Sequence, residues 1–261
     1  MSWRSKRQWI VFLVFFGAVI GVGVLAGFRY WPRASCMDNK KNQDETGVDC
    51  GGRCIPCELK NPKQISQFWA HAVQINPNSF DAAALVQNAN DALSSANFEY
   101  EFTLFDDQGV IAQRSGHTFL YSQERVIIVE PNMHVSRPPT GVSFTPRDPH
   151  WELRREIAPD LFIERRAYRV TEENGRKQSV VEASILNNAP VAFREVETLF
   201  VLFDKQENII GINKIVADNL APGEHRAIRS LWPNVLVGDI ARIEIEPRVN
   251  IFDPSVIMKP E

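Results

Sequence analysis

The chain opens on an unbroken apolar run. Trp9 to Phe28 reads WIVFLVFFGAVIGVGVLAGF, twenty residues without a charge, and at 1.5 Å rise per residue that length crosses a hydrocarbon core of about 30 Å as one helix. A polar stretch follows, and beyond residue 60 the hydrophobic period falls to two. Phe98, Tyr100, Phe102 and Leu104 alternate with Glu99, Glu101 and Thr103, and Ile243 and Ile245 alternate with Arg242, Glu244 and Glu246. Each pattern predicts a strand with one face in a core and the other in water. Leu199 to Phe203 is apolar throughout, which predicts a central strand covered on both faces. Turn residues punctuate the strands at Asn174-Gly175, Asn188-Ala189-Pro190 and Ala221-Pro222-Gly223.

The pattern recurs. Phe102-Thr103-Leu104-Phe105-Asp106 returns as Phe200-Val201-Leu202-Phe203-Asp204, and each copy runs into a polar turn. The match extends from Asn88-Ala89 to Asn188-Ala189, from Leu120–Glu124 to Leu220–Glu224, from Pro131-Asn132 to Pro233-Asn234, and from Pro146-Arg147 to Pro247-Arg248. A fixed offset of about 100 residues marks a duplicated unit. Short strands at this spacing predict antiparallel sandwiches. The expected architecture is mainly β. It comprises a tail (1–8), one N-terminal transmembrane helix (9–28), a small disulfide-rich module (29–60) and two tandem antiparallel immunoglobulin-like β-sandwiches (61–158 and 159–261). Trp151–Arg166 joins the copies, and Pro138, Pro139 and Pro149 stiffen the approach, which predicts a restricted mutual orientation.

Charge adds an asymmetry. The first 28 residues hold Arg4, Lys6 and Arg7 and no acid, while the remainder carries 26 basic against 32 acidic residues, a net of −6. That balance lacks the basic footprint of a nucleic-acid binder. Residues 9–28 are expected to lie in the lipid bilayer, with Trp3 and Trp9 at one interface and Tyr30 and Trp31 at the other. Gly17, Gly21, Gly23 and Gly27 leave a smooth face for a partner helix. The run exceeds the apolar region of a cleaved signal peptide, although Val24-Leu25-Ala26 offers small residues at a cleavage position. An uncleaved anchor is the reading taken. Flanking positive charge does not set its direction, since Arg29, Arg33, Lys40 and Lys41 balance the N-terminal cations.

The cysteines set it. All four, Cys36, Cys50, Cys54 and Cys57, fall within 22 residues that hold few large apolar side chains, so a cross-link must hold that segment together. Three disulfide pairings are open. A structural zinc site is the alternative, because Cys54 and Cys57 supply Cys-x2-Cys spacing; so is a redox pair made of the same two thiols. The acids suggest calcium, with Asp38, Asn42, Asp44 and Asp49 as candidate ligands. An EF-hand loop fails, since Arg53 stands where its bidentate glutamate belongs, and turn capping is the competing role for these side chains.

Cys36, Asp38, Asn42, Asp44, Glu45, Thr46, Val48, Asp49, Cys50, Gly51, Gly52, Cys54 and Cys57 together resemble a short extracytoplasmic cysteine module of bacterial surface proteins. Asn39 and Gln43 depart from that form, where glycine is usual, which points to altered turns. The repeats resemble the FxLYD family of extracytoplasmic β-sandwich domains. Phe102, Leu104 and Asp106, then Phe200, Leu202 and Asp204, fill its naming positions, with Phe105 and Phe203 in place of tyrosine. The second copy also carries Leu220, Pro222, Gly223 and Glu224, whereas the first has no Pro-Gly there. The resemblance implies a fold and an exported setting and no catalysis.

Nothing in the pattern adds chemistry. His71, His117, His134, His150 and His225 are scattered singly, and no phosphate loop, dinucleotide fingerprint or nucleophile elbow occurs. Arg154, Arg155, Arg165 and Arg166 offer an anionic polymer a contact or pair with Glu152, Glu156 and Glu164 as a solvated face. The sequence therefore points to a single-pass protein of the bacterial cell envelope, N-terminus cytoplasmic and bulk extracytoplasmic. It is not read as an enzyme; its sandwiches bind or space an envelope protein or polymer, with no cofactor beyond a calcium ion at the module. The alternative is a membrane-anchored thiol–disulfide redox protein using Cys54 and Cys57.

Overall fold

The computed structural model describes residues 3–30 and 34–258. Trp31 and Arg33, and the side chains of Arg4, Lys6, Arg7 and Tyr30, on which the interfacial belt and the charge balance partly rest, lie outside the described residues. The chain divides into two compact units, Met1–Lys60 and Asn61–Glu261.

In the first unit, α1 (Trp3–Tyr30) contains a 20-residue segment, Gln8–Gly27, long and apolar enough to cross a membrane, with its large apolar side chains exposed. Aromatic rings one turn apart stack along it, Phe12 on Phe16 at 5.9 Å. The four glycines leave open space beside the helix. The cysteine module ends in the single turn α2 (Cys57–Lys60) and is closed by two disulfides, Cys36–Cys54 and Cys50–Cys57.

The second unit is all β. Its first half holds β1 (Ser66–Asn76), β2 (Ser79–Gln87), β3 (Leu93–Asp106), β4 (Gly109–Leu120), β5 (Arg125–His134), β6 (Gly141–Pro146) and β7 (Glu152–Leu153). The second holds β8 (Leu161–Glu173), β9 (Arg176–Asn187), β10 (Ala192–Phe203), β11 (Ile209–Leu220), β12 (His225–Trp232), β13 (Arg242–Arg248) and β14 (Ile257–Met258). One half carries antiparallel sheets β1-β2-β5 and β4-β3-β6, with β7 on β3. The other repeats this as β8-β9-β12 and β11-β10-β13, with β14 on β10. The duplication read from sequence is thus a duplication of topology, strand for strand.

Alternation builds each core. Phe98, Phe102 and Leu104 of β3 meet Ala82, Ala84 and Val86 of β2 and Val126 and Ile128 of β5 in one buried cluster. Phe200 and Leu202 meet Val181, Ala183, Ile185 and Ile228 in the other. A buried asparagine closes the same corner twice. Asn88 Nδ2 donates to the carbonyls of Leu93 and Tyr121, and Asn187 Nδ2 to those of Val191, Leu220 and Ala221. The structural equivalent of Asn88 is therefore Asn187, one residue earlier than the sequence alignment set it. Glu124 and Glu224 accept the backbone N–H of Tyr121 and Ala221, both at 2.8 Å. Gln123 holds the left-handed conformation (φ 58°) that Gly223 holds in the second copy (φ 70°), so the first copy forms this turn without Pro-Gly.

A third apolar cluster lies between the sandwiches. Val73, Ala83, Leu85, Ile127 and Val129, on the outer face of β1-β2-β5, pack against Leu199, Val201, Phe203 and Ile212, on the outer face of β10-β11. This is why Leu199–Phe203 is apolar at every position: even residues enter their own core and odd ones the seam. Mutual orientation was expected from proline-stiffened linking; the structure shows a packed face as its cause, stacking four sheets in series.

Candidate functional site

Within the cysteine module the acids serve the backbone. Asp49, buried, accepts the N–H of Asp38 at 3.0 Å and of Asn39 at 3.1 Å, and Lys60 Nζ approaches its other oxygen at 3.4 Å. Asp38 accepts Lys40 N–H at 3.0 Å, Ser35 N–H at 3.3 Å and Asn42 Nδ2 at 2.8 Å, and the Asn42 amide leads the causes that hold its carboxyl below the usual range. Glu45, also buried, accepts the N–H of Asn42 and Asp49. Asp44 is exposed and faces Arg53 at 3.8 Å. The carboxylates of Asp38, Glu45 and Asp49 thus accept from donors, the turn-capping role, whereas Asn42 Oδ1 is buried without a partner among the described residues. Asn39 and Gln43 take left-handed φ values of 57° and 53°, so the turns expected to be altered keep the glycine-type backbone. Gly52 is required, since a Cβ there would lie 2.3 Å from the Asp44 carbonyl oxygen.

Sulfur chemistry is equally constrained. Cys54 and Cys57 bond to Cys36 and Cys50 and not to each other, which corrects the redox-pair alternative, because a Cys-x2-Cys couple cycles through a bond between its own two sulfurs. Cys36, Cys54 and Glu45 approach one another closely enough to share a metal. Both of those sulfurs, however, are spent in one disulfide, so the thiolates that zinc requires are missing.

The residues of the repeated Phe-x-Leu-x-Asp segments hold strands and turns. Phe102, Leu104, Phe200 and Leu202 are fully buried. Asp106 ends β3 and Asp204 follows the last residue of β10, and they receive the N–H of Gln108 and Gln206, at 2.9 and 2.8 Å. Arg137 binds the Asp106 carboxylate and holds it below the usual range, while the Asn208 amide does the same for Asp204. Three of the four arginines of the join are likewise committed: Arg154 pairs with Glu156 at 2.8 Å, and Arg155 and Arg166 donate to backbone carbonyls of Asp91 and Ile243; Arg165 is exposed. His225 lies 2.8 Å from Glu164, whose carboxyl is lowered by that contact.

What sequence reading missed lies at the seam. Pro146 pairs with Tyr100 and Pro247 with Thr198, so Arg147 and Arg248 are equivalent. Arg147 is exposed and pairs with Glu101 at 2.9 Å. Arg248 is buried. It crosses to the first sandwich, where it donates to Glu124 at 3.0 Å and to the Phe119 carbonyl at 2.9 Å and stacks over the Phe119 ring at 4.1 Å. Tyr121 also crosses, donating its hydroxyl to the Val249 carbonyl, and Asn234 reaches back to Ile75 O at 3.1 Å.

At one end of the seam the stacked sheets open into a cleft of about 510 Å³. Trp69, His71, Leu85, Arg125 and Ile127 line it from the first copy; Phe203, Glu207, Ile209, Arg242, Glu244 and Glu246 line it from the second. The Trp69 and His71 rings lie 5.3 Å apart. Arg242 pairs with Glu207 and Glu244 and covers Phe203 at 3.7 Å, and Arg125 covers Phe68 at 4.5 Å. Glu246 receives no ion pair or side-chain hydrogen bond from a described residue. Burial pushes its carboxyl up to about 7, against the lowering effects of Arg248 and the Ile127 N–H. A more apolar cavity of about 470 Å³ opens elsewhere along the seam, between the end of β1 and the segment after Trp232. The signal for the seam was present in the repeat: Glu101, Thr103 and Phe105 become Leu199, Val201 and Phe203 at the equivalent outer positions.

No protein-family model matches the sequence, and no curated protein matches it either. Among solved structures, the chain is similar to the N-terminal CBM22-1-CBM22-2 tandem domain from Paenibacillus barcinonensis Xyn10C. The identity is 7%, the TM-score 0.14, and the match covers 72% of this chain and 86% of that one. At that score the likeness carries no argument. What stands is a mainly β protein with two disulfides in a small module and one N-terminal helix of membrane-spanning length.

Proposed function

We propose that this is a single-pass bacterial cell-envelope protein, N-terminus cytoplasmic, whose exported part is a non-catalytic binding module built of FxLYD-type sandwiches and directed at an envelope protein or polymer. The observation that carries the reading is the pair of disulfides following a spanning-length helix. Such bonds persist in oxidising compartments and not in a reducing cytosol, so they orient everything C-terminal to the helix. The seam supports a binding role, because it packs the two copies together and composes a cleft from both. The family relation is supported by the equivalent placement of the two F-x-L-x-D segments at strand ends.

The test is topological. Protease added to intact spheroplasts should digest the C-terminal portion, and alkylation before and after reduction should reveal four thiols only after reduction. A protected C-terminal portion, or four free thiols in the native protein, would overturn the proposal.

A further inference from the structure

The cleft between the copies is specific about what it has left to offer. Arg242 is spent on two carboxylates, whereas the Arg125 guanidinium lies over the Phe68 ring with no ion pair or hydrogen bond from a described residue. The lining carries Glu207, Glu244 and Glu246 against Arg125 and Arg242, so the charges nearly cancel and neither an anion nor a cation meets a strong net field. Two further groups stand open to a ligand. The half-buried Trp69 presents an apolar ring surface beside His71. The half-buried Glu246 carboxyl accepts from no described side chain and has unfilled lone pairs facing the cleft. Among the described residues its donor is the Ile127 N–H; a carboxyl has capacity for further donors, and hydroxyl groups donate to it in either protonation state. A ligand combining an apolar ring face with several hydroxyls and no charge satisfies both groups at once.

We propose that the cleft binds a neutral polysaccharide segment, stacking a sugar ring on Trp69 and receiving hydroxyl protons at Glu246. A cavity of about 510 Å³ lies within the size range of small-ligand sites. Both copies contribute essential groups, Trp69 from the first and Glu246 from the second, so the duplication itself makes the site. The inference rests on the reading of an exported binding module and names the class of its ligand.

The experiment is calorimetric titration of the full chain in nanodiscs with cellohexaose and chitohexaose. Hexagalacturonate and an extended Ser/Thr-rich decapeptide serve as comparisons. Saturable binding of at least one neutral hexasaccharide is expected, and Trp69→Ala or Glu246→Ala should each weaken it roughly tenfold, the effect of losing one stacking or charge-assisted contact. Trp69→Tyr should recover most of the affinity, and Arg147→Ala, outside the cleft, should change nothing. Melting curves on the same samples show whether each variant is folded. Absence of binding to both neutral hexasaccharides, affinity indifferent to Trp69→Ala in folded protein, or saturation by the peptide or hexagalacturonate alone overturns the proposal. None of these outcomes bears on export, which the spheroplast assay decides separately.

Discussion

Arg248 and Arg147 occupy the same position in the two repeats, and the structure gives them opposite burdens. Arg248 is 6% exposed, and its guanidinium satisfies the Glu124 carboxylate and the Phe119 carbonyl across the seam. Arg248→Ala would leave Glu124 with only the Tyr121 N–H as partner and the Phe119 carbonyl with none from that side. Removing one member of a buried ion pair costs about 3–5 kcal/mol, mostly the penalty of the charge left behind. In a unit of roughly 200 residues each kcal/mol lowers the melting temperature by about 2–4 °C, so a fall of about 6–20 °C is expected. Arg147→Ala removes a pair whose arginine side chain is 52% exposed, worth about 0–1 kcal/mol and a few degrees at most. Differential scanning calorimetry of both variants gives the comparison, and an Arg248→Ala/Glu124→Ala cycle isolates the coupling. Equal melting shifts for the two arginines would refute the argument that the seam ion pair fastens the sandwiches.

Three further outcomes follow from the same geometry. Val201→Asp places a charge in the seam while sparing Phe200 and Leu202 in their own core; small-angle scattering should show the sandwiches apart, and the single melting transition should split into two. Reduction releases loops of 18 and 7 residues, each worth about 2–3 kcal/mol in the chain-entropy model, so dithiothreitol should open residues 34–60 to protease while the transition of the β unit stays in place. For pH, the Glu246 carboxyl rises from 4.5 to about 7 on folding, so the folded protein holds a proton the unfolded chain has lost. Stability should therefore fall as pH rises from about 4.5 to 7, by up to about 3 kcal/mol. Glu246→Gln should flatten that part of a urea-denaturation series; an unchanged slope counts against the burial argument. Asp81, raised to about 6 by burial against the Asn132 N–H, adds a fall of the same sign between about 4 and 6.

What the sequence determined by itself is whatever depends on neighbours along the chain. A twenty-residue apolar run, period-two strands and a repeated turn chemistry are short-range patterns, and the backbone obeys them locally. The same holds at Asp106 and Asp204, whose acceptors cap turns two residues ahead. Repetition at a fixed offset carried the argument further, because two copies of one pattern must adopt one topology. Small deviations within that pattern stayed invisible: Gln123 stands in for Gly223, and Asn39 and Gln43 bend without glycine.

Tertiary structure alone decided how the copies meet. An apolar residue at Leu199 or Val201 states that its surface avoids water and does not say which surface covers it, since hydrophobic burial has no direction. Cysteine pairing was undecided for the same reason, three connectivities being equally compatible with spacing until the backbone brought Cys36 to Cys54. Arg147 and Arg248 look alike in the chain and differ only because a second sandwich lies over one of them. The cleft at Trp69 and Glu246 joins residues some 177 positions apart, and no local pattern encodes a distance that packing between two folded bodies creates.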